Sequence, residues 1–522
     1  MIPKINGTYK KERGVYHLPM HCGIVYNDFS KDCTSVFFQR TNRAAVEGND
    51  IILTKDVHMP EEAYRLKINE SGIVLHASTE RGIIWALTTV YQLMQGDELP
   101  CVFIYDEPKY GFRSLHIDPC RHFFPVSTVK KIIEGISLAK MNVLHWHLSD
   151  DHGWRVESKR YPRLHECSVD YYTQDEIREV IAYAKERGVE IIPEIDMPGH
   201  NLALLSAFPE YSCKGEPVTR AKARGIYKSI LCAGKEQTIA FVEELLGEII
   251  PLFDSQYFHI GGDEAPKDEW KECPHCQAKM KELGLSNFED LQGYFTSRVC
   301  ESLKKFGKMP ICWNDTLLAK NIPQDVMIQY WSIDYAKEMK SFVENGGKWI
   351  YSDMFELYLD YPHSMIPLKK VYEFEPHLYK YSIENIDGLN GFEACSWTEH
   401  IDNEKKLGEH IFPRVYALAE RAWSGSKSDY VDFKNRVRDM MKLLAEANFS
   451  YTKEEWWDPK GNARREDALQ FYFNMNAGVD EEEAKKQASS AAPKLEFVLH
   501  FIKEFYKLSD IPAFLKKVLL GV

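Results

Sequence analysis

Between residues 112 and 397, short apolar runs alternate with longer stretches whose apolar positions recur at helical spacing. The short runs predict strands at 113–118, 142–148, 189–195, 257–261, 309–313, 327–331, 348–352 and 391–397. The amphipathic stretches predict helices over 127–140, 173–187, 235–253, 288–306 and 336–345, with another over 412–424 after the last strand. Ser127 and Thr173 stand where a helix would start, and Gly188 and Gly307 where one would stop. The connections after the fifth and seventh strands lack a clear helix. Strands and helices in such regular alternation predict an α/β fold, a closed (β/α)8 TIM barrel spanning 108–428.

Residues 1–107 carry β-type runs at 34–38, 63–68 and 73–77 and a helical run at 80–95, which predict a small N-terminal α+β domain. It ends at the turn Tyr105-Asp106-Glu107-Pro108. Beyond 428 the pattern predicts a helical C-terminal extension over 429–522: a helix at 430–455, a loop at 456–463, a helix at 467–475 and a polar linker at 481–493. Its last stretch, 494–522, is amphipathic, with Val498, Ile502, Phe505 and Tyr506 on one face. This extension is expected to pack on the barrel, a homodimer contact being the alternative.

At 522 residues the chain exceeds the about 250 that one such barrel uses, which leaves room for these companions. Apolar residues make up 44% and aromatics 13%, enough for a large core and for a site that stacks on flat apolar faces. A net charge of -13 argues against nucleic acid and against an anionic membrane surface. The first residues show no apolar run after their positive charges, and no segment has the roughly 20 apolar residues needed to cross a bilayer. Twelve scattered cysteines, many inside apolar runs, suit buried thiols and a cytoplasmic location. Cys273-Pro-His-Cys276 is the one close pair. With no second pair at zinc-ribbon spacing, it is read as a loop thiol pair.

In such barrels the chemistry gathers at the carboxyl ends of the strands. Here those ends carry Asp118, Arg121 and His122; His145, His147, Asp150 and Asp151; Glu194, Asp196 and His200; and, after Gly261-Gly262, Asp263 and Glu264. The later strands add Trp313, Asn314 and Asp315, then Trp331, then Trp397 and Glu399, with Tyr358 and Asp360 between the seventh and eighth. Cleaving a glycoside usually takes two carboxylates on opposite sides of the bond, and neighbours in sequence are badly placed for that. A different division of labour suits them. Glu264 would be the general acid and then base, its pKa raised by an apolar wall and by Asp263, while Asp263 stays ionised beside a cationic centre. The nucleophile would then come from the substrate, as the carbonyl oxygen of a 2-acetamido group can. Trp313, Trp331 and Trp397 could wall a pocket that curls the acetamide. Arg121 could fix hydroxyls, and His200 could link Glu264 to Asp150.

The strings DPCRHFFPVSTV, NVLHWHLSDDHGWR, YAKERGVEIIPEIDMPGH, HIGGDE, YLDY and WTE, in that order, resemble the family 20 glycoside hydrolases, the β-N-acetylhexosaminidases, over roughly 60–426. The resemblance implies a retaining, substrate-assisted release of terminal β-linked N-acetylglucosamine or N-acetylgalactosamine, with a carbohydrate partner and neither metal nor cofactor. It implies Glu264 as acid/base, Asp263 as the residue orienting the acetamide, and Asp150 with His200 as the pair assisting the acid. It also implies Tyr358 as donor to the acetamide oxygen, Trp313, Trp331 and Trp397 as aromatic walls, and Arg121, Asp360 and Glu399 as holders of the sugar hydroxyls. Trp313-Asn314-Asp315 departs from the family's more usual Trp-Asp-Glu, a difference expected to fall on the outer rim. Two rival readings are a metal-dependent amidohydrolase, suggested by His145-Trp-His147, and a non-catalytic N-acetylhexosamine-binding barrel.

Overall fold

The computed structural model of the protein describes residues 1–378, 388–425, 429–446 and 448–476. The apolar runs of the central region form parallel strands at Phe112–Ile117, Val143–His147, Glu190–Glu194, Tyr257–His259, Met309–Trp313, Met327–Tyr330, Trp349–Tyr351 and Leu389–Ser396. They close into a barrel, the eighth pairing with the first from Gly391↔Phe112 to Ser396↔Ile117. Continuous apolar runs, rather than alternating ones, fit strands covered on both faces. At their amino ends Phe112, Val143, Ile192, Ile311, Met327 and Ile350 plug the interior.

Helix Gln174–Glu186 starts with a capping box, Thr173 bonding the Glu176 amide while Glu176 bonds back, and Gly188 follows at φ 73°. Helix Val126–Ser137 differs from the sequence reading: Pro125 precedes it, and Ser127 lies inside its first turn. Proline's fixed φ starts this helix without a side-chain cap. After the fifth strand there is only the 3-10 turn Asn314–Leu318, and after the seventh a loop and the short helix Leu368–Glu373.

The N-terminal region forms a seven-stranded mixed sheet in the order Thr8–His17, Glu98–Asp106, Tyr64–Asn69, Gly72–Ala77, Ile51–Lys55, His21–Val25, Ala44–Glu47. Two helices pack together on it, not one. The run at 34–38, expected as a strand, lies in helix Asp32–Thr41, because Cys33, Val36 and Phe37 fall at helical spacing and bury with Ile83, Ile84 and Leu87 of helix Glu80–Leu93. Burial there overrides the β preference of Thr34, Val36 and Phe38. The sheet ends at Asp106 and the barrel begins at Phe112. Between them, Glu62 pairs with Arg113 and Asp106 with Lys140, the latter at 3.0 Å.

Beyond the barrel, helix Tyr430–Glu446 stops short of the expected 455 and buries Phe433, Val437, Met440 and Leu444. Helix Gly461–Asn476 begins inside the stretch read as a loop. The runs at 481–493 and 494–522 lie outside the described residues. Among the described residues no helix is long and apolar enough to cross a membrane.

Candidate active site

The fourth barrel strand ends in a sharp bend. Gly261 has φ 61° and Gly262 φ 99°, and a Cβ on Gly261 would lie 1.7 Å from Asp196 Oδ1. No other residue fits there. The Gly262 amide donates to that same Asp196 oxygen at 2.9 Å, which aims Asp263 and Glu264 across the mouth of the barrel. Glu264 itself holds a left-handed φ of 44°, its amide donating to Asp315 Oδ1 at 3.2 Å. His200, on the third strand's loop, is left-handed too, at φ 51°. Non-glycine residues held in that region mark surroundings that over-determine them, a common property of active sites.

His200 stands between two pairs of carboxylates. Its Nδ1 is 3.3 Å from both Asp150 Oδ2 and Asp151 Oδ2; its Nε2 is 3.8 Å from Asp263 Oδ2 and 3.9 Å from Glu264 Oε2. Arg121 Nη2 completes the chain at 2.9 Å from Asp150 Oδ2, its guanidinium 5.0 Å over the Trp397 ring. Burial alone would raise the Asp150 pKa, but Arg121 and the histidines hold it well below the carboxylate range. Burial alone would lower that of His200, and the neighbouring Asp150 and Asp151 carboxylates overrule it. Asp263, expected to stay ionised, is pushed well above its ordinary 3.8, by burial first and then by Asp196, with His200 opposing. That reversal arises because three further carboxylates, Asp196, Asp315 and Glu264, crowd it in a water-poor setting.

A pocket of about 170 Å³ opens at this point. It has the volume of about six waters, closer to one sugar ring than to a chain of them. Asp263, Glu264 and His200 form one side. Trp331 and Tyr358 face each other as near-parallel rings, centroids 6.2 Å apart, with Trp397 6.2 Å from Tyr358. Asp360 and Glu399 lie at the polar end with Arg121. Burial and then Glu399 push the Asp360 pKa up, while Arg121 and Arg224 outweigh burial and hold Glu399 down.

Asp150 sits behind His200, the place expected of the pair that assists the acid. Trp313, expected as a wall, does not line the pocket: it is 1% exposed, and its Nε1 donates to Glu194 Oε1 at 2.8 Å. Asp315 is not on the outer rim either. It accepts from Trp331 Nε1 at 2.7 Å while holding the Glu264 amide, so it locks wall to acid. Arg224, Tyr361, His400 and Phe471 also line the pocket and were not foreseen. Arg224 lies in an aperiodic polar loop and Phe471 in the C-terminal helix, and neither position carries a sequence signal.

Under Trp313 lies a layer of buried ionisable groups. Glu194 lies 2.9 Å from His259 Nδ1, which accepts from the Gly261 amide, and pairs with His147 Nδ1; Glu393 pairs with His145 Nδ1 at 2.9 Å. Burial would lower both imidazoles, but Glu393 and Glu194 raise His145 to about 9, and Glu194 with Asp150 raises His147 to about 10. His145-Trp-His147 thus lies in this buried layer, its two histidines paired with Glu393 and Glu194.

The family model described as glycosyl hydrolase family 20, catalytic domain, matches residues 110–426, and its domain 2 matches 26–107. A beta-hexosaminidase of Porphyromonas gingivalis is 32% identical over 433 residues, 75% of this chain and 55% of the relative. The chain thus spans about half the length of that curated relative. The crystal structure of a β-N-acetylhexosaminidase from Bacteroides fragilis matches with a TM-score of 0.79 at 29% identity, over 87% of this chain and 96% of that one. An exo β-N-acetylglucosaminidase from Vibrio harveyi, in complex with N-acetylglucosamine, matches with a TM-score of 0.78 at 29% identity, over 87% of this chain and 78% of that one.

Proposed function

The chain belongs to glycosyl hydrolase family 20, and from that membership we propose that it removes terminal β-linked N-acetylhexosamine by substrate-assisted hydrolysis with retention. The observation that carries this reading is the placement of Asp263 and Glu264. Both carboxylates reach the same His200 nitrogen, at 3.8 and 3.9 Å, so they stand side by side and cannot straddle a glycosidic bond.

Glu264 gives its proton to the glycosidic oxygen as the acetamido carbonyl oxygen attacks the anomeric carbon. The leaving alcohol departs with that proton, and a cyclic oxazolinium remains. Asp263 faces the acetamide nitrogen. The cation forming there draws its raised pKa down, so the carboxylate ionises where positive charge develops. Glu264, now a base, takes a proton from water, which opens the ring and frees the sugar with its original anomeric configuration. Tyr358 donates to the acetamide oxygen, and Trp331 and Trp397 keep the group curled. Arg121, Asp360 and Glu399 hold the sugar hydroxyls. Trp313 acts from below, 5.9 Å from the Trp397 ring. The small pocket, with Phe471 at its edge, favours a single terminal residue.

The test compares nitrophenyl β-N-acetylglucosaminide and β-N-acetylgalactosaminide with the β-glucoside that carries a 2-hydroxyl, adding a thiazoline mimic of the oxazolinium as inhibitor. Turnover of the acetamido substrates should exceed that of the glucoside by about 10³-fold or more, because an internal nucleophile replaces one from solution. Comparable rates would rule out substrate assistance. Binding of N-acetylglucosamine with no turnover of either sugar would point to the non-catalytic reading.

A further inference from the structure

Cys273 and Cys276 are half of a larger cluster. Cys213 and Cys232, 41 or more residues earlier in the chain, converge on them: Cys232 Sγ lies 3.6 Å from Cys276 Sγ and 3.8 Å from Cys273 Sγ, and Cys213 Sγ lies 3.8 Å from Cys276 Sγ. All four sulfurs lie within 4.8 Å of one another. A disulfide would hold its sulfurs at about 2.05 Å. Sulfurs each about 2.3 Å from one central ion at the corners of a tetrahedron stand about 3.8 Å apart. We propose that Cys213, Cys232, Cys273 and Cys276 bind one structural zinc ion.

The backbone around the cluster is shaped for it. Gly234 approaches so closely that a Cβ there would meet the Cys276 amide nitrogen at 2.2 Å. The Cys232 amide donates to Tyr211 O at 2.9 Å, which brings the Cys213 segment alongside. On binding, four thiols lose their protons and four Zn–S bonds form. All four ligands then come from the protein, the closed arrangement of a structural site. None of the four cysteines lines the pocket.

What the ion would join is informative. Cys213 and Cys232 sit on the third strand's loop, which carries His200 and Arg224. Cys273 and Cys276 follow the fourth strand, which delivers Asp263 and Glu264. The Leu231 amide, next to Cys232, donates to Pro198 O at 3.0 Å, two residues from His200, and Leu231 O accepts from Trp270 Nε1 at 3.0 Å. The zinc would thus staple the acid-bearing loop to the one that holds its histidine.

The experiment is elemental analysis of the full chain, purified without metal-affinity steps or chelators, together with X-ray absorption at the zinc edge and alkylation mass spectrometry after denaturation. One zinc per chain, four sulfur neighbours at about 2.3 Å and twelve alkylatable cysteines are expected. Iron in place of zinc, two disulfides, or free thiols without metal would each overturn the assignment. Cys276→Ser should lose the ion. Because that variant could fail to fold, the wild type is also stripped with a mercurial: its thermal midpoint should fall by several degrees and recover on re-addition of zinc. An unchanged midpoint after complete zinc loss would remove the stapling role. None of these readouts depends on turnover, so they stand apart from the proposed hydrolase activity.

Discussion

Two sets of charged groups are buried at opposite ends of the barrel, and they are wired differently. At the amino end, against the N-terminal sheet, Glu62 accepts from Arg113, from Trp85 Nε1 at 2.8 Å and from Asn142 Nδ2 at 3.0 Å. Asp106 accepts from Lys140 and from Tyr64 OH at 2.7 Å, and its other oxygen from Trp423 Nε1 at 2.9 Å. At the carboxyl end, Asp263 Oδ1, Asp360 Oδ1 and Arg121 Nε are buried with no hydrogen-bond partner among the described residues. Burial would raise Glu62 too, but Arg113 overrules it and holds it low, whereas Asp263 and Asp360 are pushed up. A fully partnered buried charge secures a junction; a buried charge lacking partners is set up for a ligand.

This contrast can be broken by experiment. The largest effect is expected from Glu264→Gln, which should lower kcat/KM by about 10²–10⁴-fold with poor leaving groups and less with acidic ones. Asp263→Asn should also lose activity, and calorimetry should show a thermal midpoint no lower than the wild type's in either variant. Next comes Lys140→Ala, which should cost about 3–5 kcal/mol in denaturant melts, because it leaves Asp106 buried without its cation, while turnover per folded molecule stays as it was. A loss of turnover at wild-type stability would erase the distinction between the two ends.

A smaller effect tests the site's own price in stability. Asp196 is raised from 3.8 to about 7, by burial and then by Glu194. Its contribution is therefore fully present below the unfolded value and is lost as pH rises through about 7. Asp196→Asn should nearly match the wild type at about pH 4 and exceed it in stability at about pH 8, read from urea melts at both. Equal stability at both would mean that Asp196 is not strained by its charge. Smallest of all, Phe471→Ala should raise KM for aryl and oligosaccharide aglycones about 2–10-fold, the worth of one aromatic contact, with kcat little changed. A fall in kcat alone would move Phe471 from the pocket edge to the reacting centre.

The barrel was legible in the sequence because strands covered on both faces leave unbroken apolar runs, and because its polar residues collect at the ends of those runs. Asp263, Glu264, Trp331, Tyr358 and Trp397 come together for that reason. Trp313 misled because a strand-end tryptophan has the same local pattern whether it lines a pocket or lies beneath one; its bond to Glu194 decides, and that partner is 119 residues away. Helix Asp32–Thr41 misled because Thr, Val and Phe favour strands until a neighbouring helix supplies a face to bury against. Cys213 and Cys232 carry no spacing signal toward Cys273, since the loops that bring them together have no period.

The barrel closes through its seam. Phe112–Ile117 is the first barrel strand to emerge in synthesis and Leu389–Ser396 the last, and Thr398 then fixes Asp118, its hydroxyl donating to Asp118 O at 2.6 Å and its amide to Asp118 Oδ2 at 3.2 Å. Until residue 398 is available, the growing chain holds seven strands with two bare edges, and the segment carrying Arg121 lacks its tie to the eighth strand. The N-terminal sheet, complete by Asp106, can fold while this happens. The half-made barrel must wait on contacts spanning some 280 residues. Edges left open that long invite pairing with other chains, so the ribosome-bound intermediate is where this protein is most exposed to aggregation and most in need of a chaperone.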